Sequence, residues 1–328
     1  MADDISLTAS RLGLRNPRTL SAEHWAAEQE AIGPGLQAVM LWSQLCIRTA
    51  SGALLCDVDG NEIVDFQGAG GVNSIGHANP RWAKAVADAL AAGPAGAFGT
   101  EPRREMAAAV RAVLPPPLDR IQLYSGGTEA VEAGLRLAKS VTGKHEFLSF
   151  WGGFHGKTMG SLALTAGARA GLGPLPAGYF SAPFPNPYRP VFDPDPARDV
   201  TACLENAREV IKQNSTGALA AIVVEPMQGR CGNVVPGPGF LSGLKELARE
   251  FDALLICDEM MTGFGRTGSM FAFTQHDVQP DIVTVGKGMG NGYPVTGVIA
   301  SADTMAAAPF SDPSASSSSF GAFPGACQ

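Results

Sequence analysis

The sequence has no excess of positive charge. Lysine and arginine together number 24 and aspartate and glutamate 31, which gives a net charge of −7. Proteins that bind nucleic acid or an anionic membrane through their charge need a basic patch. We therefore expect neither a nucleic acid nor a membrane as a partner. A small anion held by backbone N–H groups remains compatible with this composition.

Long apolar runs are also absent. The longest one, residues 218–224, is far shorter than the roughly 20 residues of a membrane-spanning helix. The first ten residues, MADDISLTAS, lack the basic and apolar stretches of a signal peptide. The six cysteines form no CxxC pair, and Cys257 lies within an apolar segment. Free thiols in a cytoplasmic protein are the simplest interpretation.

Charged residues are scarce as well, at 17% of the chain, whereas 45% of the residues are apolar. A typical globular protein has about 25% charged residues. We therefore expect a globular chain with an extensive buried surface that includes a subunit interface.

Short apolar segments alternate with segments of helical periodicity. We predict strands at residues 121–124, 146–150, 219–225, 253–258 and 281–285, and helices at residues 80–92, 129–141 and 239–251. This alternation is typical of an α/β fold, a mostly parallel sheet flanked by helices. Nearer the N-terminus, residues 21–31 have a helical pattern and the turn Asp59-Gly60-Asn61 predicts a hairpin. The tail after residue 313 has no helix or strand pattern.

Polar residues follow four of these strands. They are the turn at residues 125–128 and the single residues Glu225, Asp258 and Lys287. Ligands of parallel sheets bind at the carboxyl ends of the strands. The sequence therefore predicts a binding site at this edge of the sheet.

The turn Ser125-Gly126-Gly127-Thr128 is typical of an anion site. Thr128 can cap a helix that begins at Glu129, and free N–H groups at a helix N-terminus favour a phosphate. The motif alone fits a capped helix without a ligand equally well. Two nucleotide motifs are excluded: the first glycine of a P-loop would fall at Trp151, and residues 286–292 lack the GxGxxG spacing.

Three further residues have chemistry that suits a cofactor. A carboxylate after a buried strand, Asp258, is costly without a partner, which could be a metal, a proton donor or a protonated heterocycle. Burial of Lys287 would lower its pKa and favour Schiff-base formation. Phe154 could stack on a flat ring. Taken alone, each also fits a structural role: a turn cap, a lysine that reaches the rim, and ordinary packing.

Taken together, these residues indicate one chemistry. A phosphate turn, an aromatic ring, a strand-end carboxylate and a buried lysine are the groups that hold pyridoxal phosphate. The remaining histidines lack the spacing of a zinc site, so we expect no metal.

At these residues the sequence resembles the class III pyridoxal-phosphate aminotransferases, the group of ornithine, acetylornithine and 4-aminobutyrate aminotransferases. The likeness extends from about Gly52 to the end. The motifs that carry it are DVDGN (57–61), GHANP (76–80), SGGTEAVE (125–132), FHGKT (154–158), EPMQG (225–229), DEMMTGFGRTG (258–268) and GKGMGNGYP (286–294).

The resemblance implies a fold-type I transferase with pyridoxal phosphate as cofactor. It implies that Lys287 forms the Schiff base and carries the proton, and that Asp258 partners the pyridinium nitrogen. The other implied cofactor-binding residues are Gly126, Gly127, Thr128, Phe154, His155, Glu225, Gln228, Met260, Met261 and Ser319. Ser319 matches the residue that reaches the phosphate of the other subunit, which implies a homodimer with a shared active site.

Two departures from the family matter. Met260 and Met261 stand where many members have valine and glutamine, so the contact to the cofactor's phenolic oxygen is not expected there. Members of the family also continue beyond the matched segment. The resemblance thus implies that residues 1–65 belong to a small domain, that residues 66–328 form the large cofactor-binding domain, and that the C-terminal small domain is absent. That absent part usually supplies the arginine for the substrate carboxylate. Arg230 and Arg266 are the arginines in or beside the matched motifs.

The predicted function is transamination, from an amine or ω-amino acid to a 2-oxo acid. One alternative is a decarboxylase or aminomutase on the same scaffold, because residues 171–192 loosely resemble a dialkylglycine decarboxylase. The other is a non-catalytic remnant that binds the cofactor only. The intact Lys287 and Asp258 argue against a remnant, whereas the abrupt end argues for it.

Overall fold

The computed structural model describes residues 13–93, 98–167 and 169–328. The chain forms two compact units that divide after Lys84. Among the described residues, no helix has both the length and the apolar character needed to cross a membrane. The division predicted at residues 65 and 66 stays a prediction.

The first unit contains a small antiparallel sheet. Its strands, in spatial order, are β1 (Ile47–Ser51), β2 (Leu54–Asp57) and β3 (Glu62–Val64). The predicted hairpin is confirmed: Asp57 accepts hydrogen bonds from the backbone (2.7 Å) and side chain (2.8 Å) of Asn61 across the turn. The helices of this region are α1 (Thr19–Gln29), α2 (Ala38–Ser43), the single turn α3 (Gly68–Gly71) and α4 (Pro80–Ala91), which includes the dividing residue.

The second unit contains a seven-stranded sheet in the order β4-β10-β9-β8-β7-β5-β6. Its strands are β4 (Arg120–Tyr124), β5 (Glu146–Phe150), β6 (Tyr179–Ala182), β7 (Leu219–Val224), β8 (Leu254–Asp258), β9 (Ile282–Val285) and β10 (Thr296–Ala300). Strand β10 runs in the opposite direction to the other six strands of this sheet. Its helices are α5 (Glu101–Val113), α6 (Gly127–Thr142), α7 (Met159–Leu164), α8 (Pro196–Asn214), α9 (Phe240–Glu250) and α10 (Ala302–Met305). The predicted α/β class is confirmed.

The sequence analysis missed six elements of the second unit: β6, β10, α5, α7, α8 and α10. Helix α8 carries a start signal, because Asp195 accepts hydrogen bonds from the first-turn N–H groups and Pro196 follows it. Charged residues on the exposed side of α8 interrupt the apolar pattern of its buried positions. Strand β10 follows a Gly- and Pro-rich segment and is fully buried between two strands, so it has no alternating pattern.

Helices cover both faces of this sheet, and α6 approaches it closely. A Cβ atom at Gly134 would lie 3.3 Å from Thr284 Cγ2 on β9, so only a small residue allows this distance. The opposite face is filled by α8, α9 and a group of edge-to-face rings, Phe150, Phe184 and Phe240, with centroids 5.1–6.1 Å apart. The close packing fixes the N-terminus of α6 beside the strand ends.

The tail packs along the β4 edge and forms no strand or α-helix after α10. The buried Tyr124 hydroxyl donates a hydrogen bond to the Ser316 carbonyl at 3.0 Å, and Gln122 donates to the same oxygen at 3.2 Å. Arg136 donates to the Ala315 carbonyl at 2.7 Å. These bonds hold an otherwise irregular segment on the sheet.

Replacement of Tyr124 tests this attachment. Burial raises the pKa of Tyr124 to about 12, whereas the unfolded chain titrates near the ordinary value of 10.0. The associated stability is therefore complete below pH 10 and is lost as the pH rises toward 12. We expect Tyr124→Phe to lower the free energy of unfolding by about 1 kcal/mol at pH 7. It should also lessen the further loss of stability in alkali. Urea denaturation across this pH range measures both effects. The exposed control Tyr188→Phe should match the wild type, and an undiminished alkaline loss in Tyr124→Phe would contradict the assignment.

Candidate active site

The predicted site residues meet at one edge of the large sheet, because β4, β5, β7, β8 and β9 run in the same direction. Glu225 follows β7, Asp258 ends β8 and Lys287 follows β9. The pKa of Lys287 responds to the charges of both carboxylates. The structure thus brings together residues that are far apart in sequence.

Asp258 and His155 form a buried pair at the centre of this edge. His155 Nδ1 lies 2.7 Å from Asp258 Oδ2, and both side chains are at most 2% exposed. The other oxygen, Oδ1, accepts hydrogen bonds from Thr284 Oγ1 at 2.9 Å and Met260 N at 3.0 Å. Burial alone would lower the pKa of His155, but the hydrogen bond and charge of Asp258, with the charge of Glu225, raise it. The pair therefore favours a proton on His155.

Lys287 presents a reactive amine. It follows the extended Gly286 and has a left-handed backbone, with φ of 44°. Burial and the charge of Arg266 lower its pKa, although Asp258 and Glu225 oppose this shift. Its Nζ atom lies 3.7 Å from Met261 Sδ, and the described chain contains no ion pair of this amine. A larger fraction of free amine at neutral pH makes it a better nucleophile than an ordinary lysine.

The turn before α6 differs from the expectation in one detail. The helix begins at Gly127 rather than at Glu129, and Thr128 lies inside its first turn. Glu129 takes the capping role, because its Oε2 accepts hydrogen bonds from Ser125 N at 3.1 Å and Gly126 N at 3.3 Å. The following N–H groups of the first turn have no intrahelical acceptor and suit an anion.

A hydroxyl network fixes Thr128. Its Oγ1 is hydrogen-bonded to Thr158 Oγ1 at 2.7 Å and Ser161 Oγ at 2.6 Å. Glu132 Oε1 accepts from Thr158 Oγ1 at 2.6 Å and from Ser161 N at 2.9 Å. A Cβ atom at Gly156, whose φ is 139°, would collide with the Thr128 and Ser161 hydroxyls. The sequence analysis missed Glu132 and Ser161, although Glu132 lies one helical turn from Thr128 on the same face.

Glu225 and Gln228 hold the loops around the site. Glu225 accepts hydrogen bonds from Phe154 N at 2.8 Å and Gly229 N at 3.2 Å. Burial and the nearby Asp258 raise its pKa, while His155 and these two N–H groups oppose the shift. Gln228 Nε2 donates to the Trp151 carbonyl at 2.8 Å.

Three further predicted residues, Met260, Phe154 and Ser319, differ from one another in their surroundings. Met260 packs between two glycines, since a Cβ at Gly127 would lie 3.2 Å from its sulfur and one at Gly286 would collide with it. Phe154 carries the Arg230 guanidinium 4.7 Å above its ring. Ser319 is exposed, and no hydrogen bond of the described chain joins it to the other predicted residues.

These features fit a phosphorylated planar heterocycle with an aldehyde. The free N–H groups in the first turn of α6 suit an anion, and the Ser125 hydroxyl nearby is buried with no partner in the described part of the chain. Asp258 suits a protonated ring nitrogen, and the Lys287 amine suits the aldehyde. Across the described ranges, no group of three or more His, Cys, Asp or Glu residues could hold a metal ion.

The fold and the site define an α/β protein built to hold such a ring beside a lysine, and comparisons with known proteins agree. The pattern of the class III aminotransferases matches residues 38–328. The chain is 38% identical over 278 residues to an acetylornithine aminotransferase of Methanopyrus kandleri. That alignment covers 84% of this chain but only 66% of the archaeal protein. The protein belongs to the class III aminotransferase family.

Solved structures show the same fold. An (S)-enantioselective ω-transaminase from Thermomicrobium roseum superposes with a TM-score of 0.84 at 29% identity, covering 94% of this chain and 72% of that one. The taurine:2-oxoglutarate aminotransferase from Bifidobacterium kashiwanohense, solved with pyridoxal phosphate and glutamate, has a TM-score of 0.84 at 26% identity. It covers 94% of this chain and 70% of that one.

The buried pair makes a prediction for NMR. We expect His155 to titrate above its ordinary pKa of 6.5 in the wild type. In Asp258→Asn its pKa should fall, because burial alone opposes the imidazolium. His276, whose pKa burial lowers, is the internal control and should not respond to Asp258→Asn. A wild-type pKa of His155 below 6.5 would contradict this account.

The hydroxyl network makes a prediction for stability. Glu132→Met leaves the Thr158 hydroxyl and the Ser161 N–H without their acceptor, so the free energy of unfolding should fall by about 1–3 kcal/mol. Glu132→Gln keeps an acceptor oxygen and should lose less. Urea denaturation measures both, with the exposed Glu209→Met as the matched control. Equal losses for Gln and Met at position 132 would rule out the acceptor role.

Proposed function

We propose that the protein is a transaminase that moves an amino group from an amine or ω-amino acid to a 2-oxo acid. The observation that carries this proposal is the Lys287 amine of lowered pKa, at the same sheet edge as the buried Asp258–His155 pair. Family membership supports it. Because the chain spans 66% of the length of its acetylornithine aminotransferase relative, the activity of the whole protein remains a proposal.

The cofactor is pyridoxal 5′-phosphate, in keeping with the family and with the related aminotransferase solved with it. When bound, it supplies a ring that accepts the electrons of a broken Cα bond. In this proposal, the start of α6 with Gly126, Gly127 and Thr128 holds its phosphate. Phe154 would pack against the ring, Asp258 would partner the ring nitrogen, and Lys287 would bind the aldehyde. Met260, Met261, Glu225 and Gln228 surround the ring.

Asp258, Lys287 and the two fixed loops would each have a separate role in the reaction. Asp258, which is hydrogen-bonded to His155 and Thr284, would stabilise a proton on the ring nitrogen. The Lys287 amine, with its lowered pKa, would take a proton from the substrate Cα. The fixed loops 225–229 and 151–155 keep these groups in register. Each residue thus binds, orients or moves a proton at a defined atom.

The assembly is part of the proposal. The exposed Ser319 would reach the phosphate of a second copy of the chain, which makes the protein a homodimer with a shared site. Residues 1–65 would belong to a small domain and residues 66–328 to the large one. A cytoplasmic location is in keeping with six free cysteines.

The first experiment traps the cofactor. The protein is loaded with pyridoxal phosphate, reduced with borohydride and digested, and the modified peptide is identified by mass spectrometry. We expect modification at Lys287 and none in Lys287→Ala, because the desolvated amine is the nucleophile. The matched control, Lys157→Ala, removes an exposed lysine close to the site and should still be modified at Lys287.

Product analysis then separates the alternatives. A transaminase converts the amino donor and the 2-oxo acid in equal amounts without releasing carbon dioxide. Modification of another lysine, or carbon dioxide release matching product formation, would contradict the proposed function. Modification at Lys287 without any amino transfer would indicate a cofactor-binding remnant.

A further inference from the structure

We propose that Arg230 binds the carboxylate of the substrate, so that the site favours amino acids over plain amines of the same length. This inference rests on the proposed function. It assigns a specificity-determining role to a residue in the turn after β7, within the second unit.

The turn that carries Arg230 is rigid. Gln228 and Val234 exchange two backbone hydrogen bonds, of 2.9 and 3.0 Å, across its base. The N–H groups of Gly232 and Asn233 both donate to the Gly229 carbonyl at 3.2 Å. Glu225 Oε2 accepts a hydrogen bond from Gly229 N at 3.2 Å. The backbone position of Arg230 is therefore set before any substrate binds.

This turn lies next to the reactive amine. Gly229 packs so closely on Met261 that a Cβ atom there would lie 3.0 Å from Met261 Cγ. The sulfur of the same methionine is 3.7 Å from Lys287 Nζ. Arg230 thus directly follows a residue that touches a neighbour of the amine, and its guanidinium lies over the ring of Phe154, another residue of the site.

The side chain is held in a defined orientation. The Arg230 guanidinium carbon lies 4.7 Å from the centroid of the Phe154 ring. A guanidinium above a ring face is attracted to it while its N–H donors stay available at the edge. Phe154 is itself fixed, because its N–H donates to Glu225.

No carboxylate in the described chain neutralises this cation. The two acidic groups at the strand ends are already used, since Glu225 accepts two backbone N–H groups and Asp258 pairs with His155. Arg230 is exposed, and no hydrogen bond or ion pair of its guanidinium occurs among the described residues. An oriented and unpaired guanidinium matches a planar carboxylate, which it can bind through two parallel hydrogen bonds.

The test compares matched amino donors on the protein loaded with pyridoxal phosphate. Each ω-amino acid from 3-aminopropanoate to 6-aminohexanoate is paired with the alkylamine that lacks its carboxylate. We expect Arg230→Gln to lower the ratio of kcat/KM for acid over amine roughly 10- to 100-fold, as loss of a hydrogen-bonded charge pair implies. Arg230→Lys keeps the positive charge but cannot form two parallel hydrogen bonds to a carboxylate. Its acid-to-amine ratio should therefore lie between those of the wild type and Arg230→Gln. Arg208→Gln, which removes an exposed arginine on α8, should leave the ratio unchanged.

A binding measurement separates this inference from the proposed function. Glutarate, which has neither an amino nor a keto group, is titrated into the loaded protein by calorimetry. We expect weaker binding to Arg230→Gln than to the wild type and unchanged binding to Arg208→Gln. An unchanged acid-to-amine ratio together with unchanged glutarate binding would overturn the role of Arg230. Loss of glutarate binding in Arg230→Gln, in a protein that transaminates no donor, would support the anion site and reject transamination.

Discussion

The ion pair between Asp258 and His155 is the interaction on which the rest of the site depends. A carboxylate this deeply buried is costly unless charge and hydrogen bonds compensate for lost water. His155 and Thr284 provide this compensation from two other strand ends, β5 and β9. These contacts therefore tie the loop after β5 to the end of β8 and to β9, and they place a carboxylate where a cationic ring can meet it.

The same charges control Lys287. Burial and Arg266 favour its neutral amine, while Asp258 and Glu225 favour its protonated form. The two carboxylates thus limit how far burial lowers the pKa of the lysine. Burial and Asp258 raise the pKa of Glu225 itself, while His155 opposes this shift. The pKa of the Lys287 amine therefore depends on both neighbouring carboxylates, Asp258 and Glu225.

Close approach is the second requirement of the site. Gly127 and Gly286 admit the Met260 side chain, and Gly156 admits the Thr128 and Ser161 hydroxyls. These contacts bring the start of α6, the loop after β5 and the loop after β9 to within side-chain reach of one another. The glycines therefore allow these segments to pack closely at the site. Glu132 accepts hydrogen bonds from the Thr158 hydroxyl and the Ser161 N–H, which are part of the same contacts.

The sequence by itself determined the α/β class, the predicted parallel strands and the polar residues that end them, because strand and helix periodicities and turn residues are local signals. It also indicated Lys287, Asp258 and the turn at residues 125–128 as one chemical set. Only the tertiary structure decided that His155 pairs with Asp258, that Glu132 anchors Thr128 and that Arg230 lies over Phe154. It also decided that β10 fills the sheet between β4 and β9. These outcomes depend on contacts between residues far apart in the chain, whose partners no local pattern specifies.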